Sequence, residues 1–178
     1  MHVEYECTLL EVNESEFIKL LEANNAKKIG EYFQRRYVYD FNPVDPHKWI
    51  RLRTNGEKTT LTIKNIVDKN SIGGTEELEI EVSSFDKANE ILENLGYIAR
   101  NYQENKRITY RLGDIEFDID SWPMIPTYVE IEGKDSKSVE DIIDKLKLDK
   151  SKITNYDVTS IYKEIYGIDL LKIKKLRF

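Results

Sequence analysis

The chain has 178 residues, 40% hydrophobic and 34% charged, with 11 Tyr, 6 Phe and 2 Trp spread along its length. A chain of ~150 residues buries about 70% of its unfolded surface, so one domain with a true core is expected and long disorder is excluded. With 33 acids against 27 bases, net charge −6, the balance argues against a general nucleic-acid binder, and the single cysteine, Cys7, excludes an internal disulfide.

No apolar run approaches the ~20 residues that span a bilayer. The acidic opening, Met1-His2-Val3-Glu4, lacks the basic and apolar regions of a signal peptide, so a cytoplasmic location without membrane partners is expected.

In chain order, residues 2–10 read as a strand, and Asn13 or Ser15 opens a helix to about Asn24 with Phe17, Leu20 and Leu21 on one face. Strands follow at 35–41, 48–54 and 58–65, the last two joined by Asn55-Gly56, whose positions both accept the positive φ of a tight hairpin. Residues 66–75 hold Gly73-Gly74 and read as a mobile loop, and 76–82 is a strand. Ser84 caps a helix with Ala88, Ile91, Leu92 and Leu95, closed by Gly96. Strands at 104–112 and 114–120 flank Gly113, and 127–132 is another. Ser136 or Ser138 starts a helix carrying Val139, Ile142, Ile143 and Leu146, and a last helix spans about 157–166 with Val158, Ile161, Tyr162 and Ile165. The expectation is one α+β domain over 1–169, with 170–178 a solvated basic tail.

Strand parity carries the functional information, because alternate side chains point to opposite faces. Val3, Tyr5, Cys7 and Leu9 oppose Glu4, Glu6 and Thr8; Ile50 and Leu52 oppose Trp49, Arg51 and Arg53; Leu61 and Ile63 oppose Thr60, Thr62 and Lys64. Leu78, Ile80 and Val82 oppose Glu77, Glu79 and Glu81; Ile108, Tyr110 and Leu112 oppose Arg107, Thr109 and Arg111. Ile115, Phe117 and Ile119 oppose Glu116, Asp118 and Asp120, and Val129 and Ile131 oppose Tyr128, Glu130 and Glu132. A sheet with one solvated face would give this alternation. Single-sign runs such as Glu-x-Glu-x-Glu, however, repel along a strand unless charges opposite neutralise them. The amphipathic helices need an apolar partner, which the apolar strand faces supply. A closed sheet with helices outside would turn the charged faces inward as a polar lumen. Arg and Lys there suit phosphate oxygens, and carboxylates beside them suit Mg2+ or Mn2+.

These residues resemble the CYTH superfamily, the triphosphate tunnel metalloenzymes, in ordered motifs along 4–132. They are Glu4-x-Glu6, Arg51-x-Arg53, Leu-Thr-Ile-Lys64, a Glu-x-Glu at Glu77 or Glu79 then Glu81, Lys106-Arg107, Phe-Asp118-Ile-Asp120-Ser-Trp-Pro, and Tyr-Val-Glu130-Ile-Glu132-Gly. The last two look nearest the class IV adenylate cyclase-like branch. The resemblance implies a closed eight-stranded antiparallel β-barrel with helices packed on its outside. It also implies a metal-dependent enzyme on a small-molecule triphosphate (ATP, thiamine triphosphate or tripolyphosphate), acting as phosphohydrolase or adenylate cyclase. Arg51, Arg53, Lys64, Arg107 and Arg111 would bind phosphates. Glu4, Glu6, Asp118, Asp120, Glu130 and Glu132 would hold Mg2+ or Mn2+, with Glu4, Glu6 and Glu132 in catalytic roles. A homodimer is left open.

Two positions depart from the family pattern. Its opening motif is Glu-x-Glu-x-Lys, and here position 8 is Thr8; Arg36 stands before Tyr37 where many relatives carry an acid. A hydroxyl cannot supply the ammonium's charge, so a non-catalytic polyphosphate- or nucleotide-binding module is the alternative function, and a plain structural domain a third. Arg35 or Arg36 is available to compensate, and parity does not choose between them. Trp49 reads either as a half-buried strand-end residue or as a platform for a base at the tunnel mouth.

Overall fold

Period-two patterning marks out the strands that build the sheet. The computed structural model describes residues 1–178 and begins with β1 (His2–Leu9), followed by α1 (Glu14–Ala23), whose first turn is capped by the Asn13 side chain accepting from the Glu16 amide. Next come β2 (Lys27–Asp45), β3 (Lys48–Thr54), β4 (Thr59–Ile66), β5 (Thr75–Glu81), α2 (Phe85–Asn94) and β6 (Ala99–Leu112). The chain continues through β7 (Ile115–Ser121), β8 (Tyr128–Gly133), α3 (Ser136–Lys145), β9 (Ile153–Thr154), α4 (Val158–Ser160) and β10 (Lys175–Leu176). A π-helical turn, Ile161–Ile165, extends α4 and completes the last expected helix.

Eight strands pair antiparallel in the order β6-β2-β3-β4-β5-β1-β8-β7, and β7 pairs back onto β6, which closes the barrel. Closure removes every edge and gives each strand one inner and one outer face. The outer apolar face of β1, β7 and β8 packs under α1 and α3, where Phe17, Leu21, Val139 and Ile143 meet Cys7, Phe117 and Ile131. On β3 and β4, α2 seats Phe85, Ala88 and Leu92 against Ile50 and Leu52. Each such fully buried side chain contributes about 1.5–3 kcal/mol. Ile91 and Leu95, expected in that seam, are exposed instead, as are Leu78 and Ile80 on the outside of β5.

Two strands are longer than expected. β2 begins at Lys27 rather than 35, β6 at Ala99 rather than 104, and they pair from Lys27 opposite Arg111 to Tyr39 opposite Ala99. The extra segments carry Gln34, Asn101 and Gln103 on buried positions, where polar side chains conceal the usual apolar alternation. The segment expected to be mobile is tied down by the Val67 and Asp68 amides, both donating to the Gly74 carbonyl. Within it Gly73 has φ +90°, and an added Cβ would lie 2.9 Å from the Tyr5 ring.

Residues 170–178 are not a solvated tail. Leu170 and Leu176 are buried with Leu10, Trp122, Tyr128, Ile161 and Tyr162 in a third apolar cluster, and β10 runs parallel to β6. The apolar residues interleaved among the lysines decide this placement. No helix is long and apolar enough to cross a membrane.

Candidate functional site

Closing the barrel turns the charged strand faces onto one another. The lumen, about 1130 Å³ of space, is lined by 14 residues, none hydrophobic. Its cations are Arg36 from β2, Arg51 and Arg53 from β3, Lys64 from β4 and Arg107 from β6. Its carboxylates are Glu4 and Glu6 from β1, Glu77 and Glu79 from β5, Glu116 and Asp118 from β7, and Glu130 and Glu132 from β8. Like-charged runs within a strand are thus answered by opposite charges one or two strands away around the barrel wall.

The pairing is specific. Lys64 donates to Glu4 at 3.0 Å and lies 2.5 Å from Glu77. Arg51 reaches Glu77 at 3.2 Å and Glu79 at 3.5 Å, and Arg53 lies 3.8 Å from Glu79. Arg107 gathers three carboxylates: Asp118 at 2.5 Å, Glu130 at 2.5 Å, and Asp120, to which its Nε also donates at 2.8 Å. Asp120, on the same face of β7 as Asp118, has no exposed surface and also accepts from Asn105 at 2.9 Å.

Arg36 is the exception. It is 5% exposed, has no carboxylate partner, and donates to the neutral oxygens of Gln34 (2.8 Å) and Asn105, while its Nε has no partner at all. Its guanidinium lies 4.7 Å over the Trp122 ring. Arg35 turns outward instead, 4.9 Å over Phe85 on α2. The structure therefore answers the question that parity left open. Tyr37 and Tyr39 face the outer helix side, and Val38 shares the inner face with Arg36; this apolar inner residue masks the alternation.

Burial and crowding shift the titrating groups. Burial, reinforced by Glu130, Glu4 and Glu132 and opposed by Lys64, pushes the Glu6 carboxyl up to about 7. Glu132 also rises to about 7 by burial and by Glu4, Glu116, Asp118 and Glu130. Asp120 rises to about 6 because burial outweighs Arg107. Glu130 goes the other way: burial raises it, but Arg107, Lys64 and Arg36 together hold it below the usual range. Burial and the neighbouring Arg53, Arg51 and Arg107 also disfavour the charge on Arg36. A guanidinium nevertheless keeps its proton, so relief has to come from an anion.

A second cavity shares Glu4, Glu6, Arg36, Arg51, Lys64 and Glu130 with the lumen. It adds Thr8, Trp49, Gln103, Trp122, Tyr128, Asn155 and Tyr156. Seven buried polar atoms on residues of this chamber have no partner: the Nε atoms of Arg36, Arg51 and Arg100, with Gln103 Oε1, Trp122 Nε1, Tyr128 Oη and Asn155 Oδ1. An aromatic-walled chamber with unmet donors and acceptors suits an organic group, and the guanidinium-lined lumen suits phosphates.

Of the expected site residues, Glu4, Glu6, Arg51, Arg53, Lys64, Arg107, Asp118, Glu130 and Glu132 converge on the lumen. Arg111 does not: it sits at the barrel's end, 55% exposed, paired with Glu116 at 2.5 Å. Glu81 likewise lies at the rim with Lys58. Arg36, Glu116, His2 and the β5 pair Glu77 and Glu79 are lumen residues that the expected site left out. No three acidic, His or Cys side chains form a ready metal cage. The donor set nonetheless fits Mg2+ or Mn2+: Mg2+ characteristically takes one or two carboxylates and completes its shell with phosphate oxygens and water. Cross-strand neighbours Glu6 and Glu132, and Glu130 and Asp118, would supply the carboxylates.

The sequence matches the CYTH domain family over residues 2–163. No curated protein gives a match. Among solved structures, the PH1012 protein of Pyrococcus horikoshii is similar with TM-score 0.76 and 23% identity, over 86% of this chain and 96% of that one. A candidate adenylate cyclase of Vibrio parahaemolyticus gives TM-score 0.75 at 15% identity, covering 93% and 98% of the two chains. A candidate adenylyl cyclase of Hippeastrum, described as having a dominant triphosphatase activity, gives TM-score 0.64 at 17% identity, covering 97% and 99%. At such identities these structures establish the shared fold.

Proposed function

This chain belongs to the CYTH domain family, and on that premise we propose that it is a divalent-metal-dependent phosphohydrolase of an organic triphosphate. The observation that carries the reading is the lumen, where five buried or half-buried cations face eight carboxylates with no hydrophobic side chain between them. The chamber beside it favours a substrate with an organic group over a bare polyphosphate chain.

In this reading Arg51, Arg53, Lys64 and Arg107 exchange part of their carboxylate contacts for phosphoryl oxygens and hold the chain in line. The attacking water forms a new P–O bond as the bond to the leaving phosphate breaks. Glu6 or Glu132, raised to about 7 and so partly ionised near neutrality, takes the proton from that water in its carboxylate form. Glu4, Glu6, Asp118, Glu130 and Glu132 would hold a metal ion, which would supply charge neutralisation at the phosphoryl oxygens. Asp120 serves at one remove by fixing Arg107. A binding-only module is the second reading, favoured by Thr8, whose hydroxyl in the chamber carries no charge.

Phosphorus NMR of the protein with Mg2+ or Mn2+ and, separately, ATP, thiamine triphosphate and tripolyphosphate tests the proposal. Orthophosphate release from an organic triphosphate, lost in a Glu4→Gln/Glu6→Gln variant, is expected. Pyrophosphate with cyclic AMP would replace hydrolysis by cyclisation. Unchanged spectra alongside tight binding would establish the binding module instead.

A further inference from the structure

We propose that Arg36 is the anion anchor of this site, gripping the phosphoryl group at the junction of lumen and chamber in place of a cation at position 8. The inference rests on the triphosphate reading above and deepens it. Every other lumen cation is already paired with a carboxylate. Arg36 alone meets only amide oxygens, and its Nε, like that of Arg51, has no partner. A buried charge without a counter-ion is costly to maintain in a folded protein, and a phosphoryl oxygen satisfies it best.

Its placement supports the role. Arg36 lines both cavities, so it stands where they join. In the closed order β2 lies four strands from β1 by either route, directly across the barrel. Arg36 therefore faces the chamber that Thr8 enters from the opposite wall. The Trp122 ring beneath the guanidinium and the two amide oxygens at its Nη2 fix its plane before any ligand arrives. Such preorganisation is what a specificity-determining contact requires. Arg35, the only neighbouring alternative, is held outside the barrel.

The test is a calorimetric titration of magnesium tripolyphosphate into the wild type, Arg36→Gln, Arg36→Lys and Arg36→Gln/Thr8→Lys, with the ligand-free Tm of each. Arg36→Gln is expected to raise Kd about tenfold or more. Its ligand-free Tm should stay within about 3 °C of the wild type or rise, because an unpaired buried charge has been removed. Arg36→Lys should fall between the two. Thr8→Lys in the Arg36→Gln background should recover most of the lost affinity from the opposite wall. Wild-type affinity in Arg36→Gln would overturn the inference and leave the triphosphate reading standing, as would no recovery in the double variant. A much lower ligand-free Tm in both single variants would make Arg36 a structural cation and overturn it too. No binding to the wild type would overturn the triphosphate reading itself.

Discussion

Replacing Arg107 by Gln should unbalance one wall of the barrel more than any other single change in the lumen. Its guanidinium is the shared cation of Asp118, Asp120 and Glu130, and Asp120 has no access to water. Removing one partner of a buried ion pair costs about 3–5 kcal/mol, because the other charge is left unpaired. Three carboxylates lose their partner here, but the loss does not triple. Burial already raises the Asp120 carboxyl to about 6, so it takes up a proton rather than remain a buried anion. Asn105 still bonds it, and Thr109 still bonds Asp118. The ceiling is therefore about 3–5 kcal/mol, which at 2–4 °C per kcal/mol for a domain of this size lowers Tm by about 6–20 °C at pH 7.5. The carboxylates' folded values rise above their unfolded ones in the variant, so its deficit must shrink as pH falls towards 5. Thermal unfolding of both proteins at pH 5 and 7.5 measures this, with Arg111→Gln as a solvent-exposed control that should leave Tm unchanged. A loss below about 3 °C at pH 7.5, or a larger loss at pH 5, would refute the reasoning.

The same lumen predicts an unusual pH dependence in metal-free protein. Glu6 and Glu132 keep protons up to about 7 against an ordinary 4.5, so between those values the folded state binds more protons than the unfolded one. Stability in EDTA should thus fall as pH rises from about 5 to 7.5, and a rising Tm over that window would contradict the assignment. Leu176→Ala should cost about 2–5 kcal/mol, because that side chain is buried against the barrel's end cluster; chemical denaturation with no shift in midpoint would mean the C-terminal segment is undocked. Trp49→Ala should weaken ATP binding while sparing tripolyphosphate, since Trp49 lines only the chamber; equal losses for both ligands would show that it shapes the phosphate site.

Closure of the barrel was legible because parity sets the faces of seven strands. Single-sign runs such as Glu77-x-Glu79 make sense only if something like Arg51 and Arg53 stands opposite, and the lumen brings those residues together. Legibility failed where polar residues occupy both parities. Asn101, Gln103 and Asn105 do alternate at period two with Arg107, yet polar inward residues carry no apolar contrast, so the alternation marks the strand only from 104 onward. Arg36 was hidden for the opposite reason, its inner-face neighbour Val38 being as apolar as the outer Tyr37. Arg111 shows the limit of parity: it shares the face of Arg107, but a strand of 14 residues outruns the lumen. The C-terminal segment was judged by its lysines, while Leu170 and Leu176 decide where it goes.

The central claim is that the lumen receives a triphosphate as its metal complex, because eight carboxylates against five cations would repel the free polyanion. Calorimetric titration of tripolyphosphate into metal-stripped protein, once in EDTA and once in Mg2+, tests it most directly. Saturable one-to-one binding in Mg2+ and little or none in EDTA is predicted. Equal binding in both conditions, or none in either, would contradict the account.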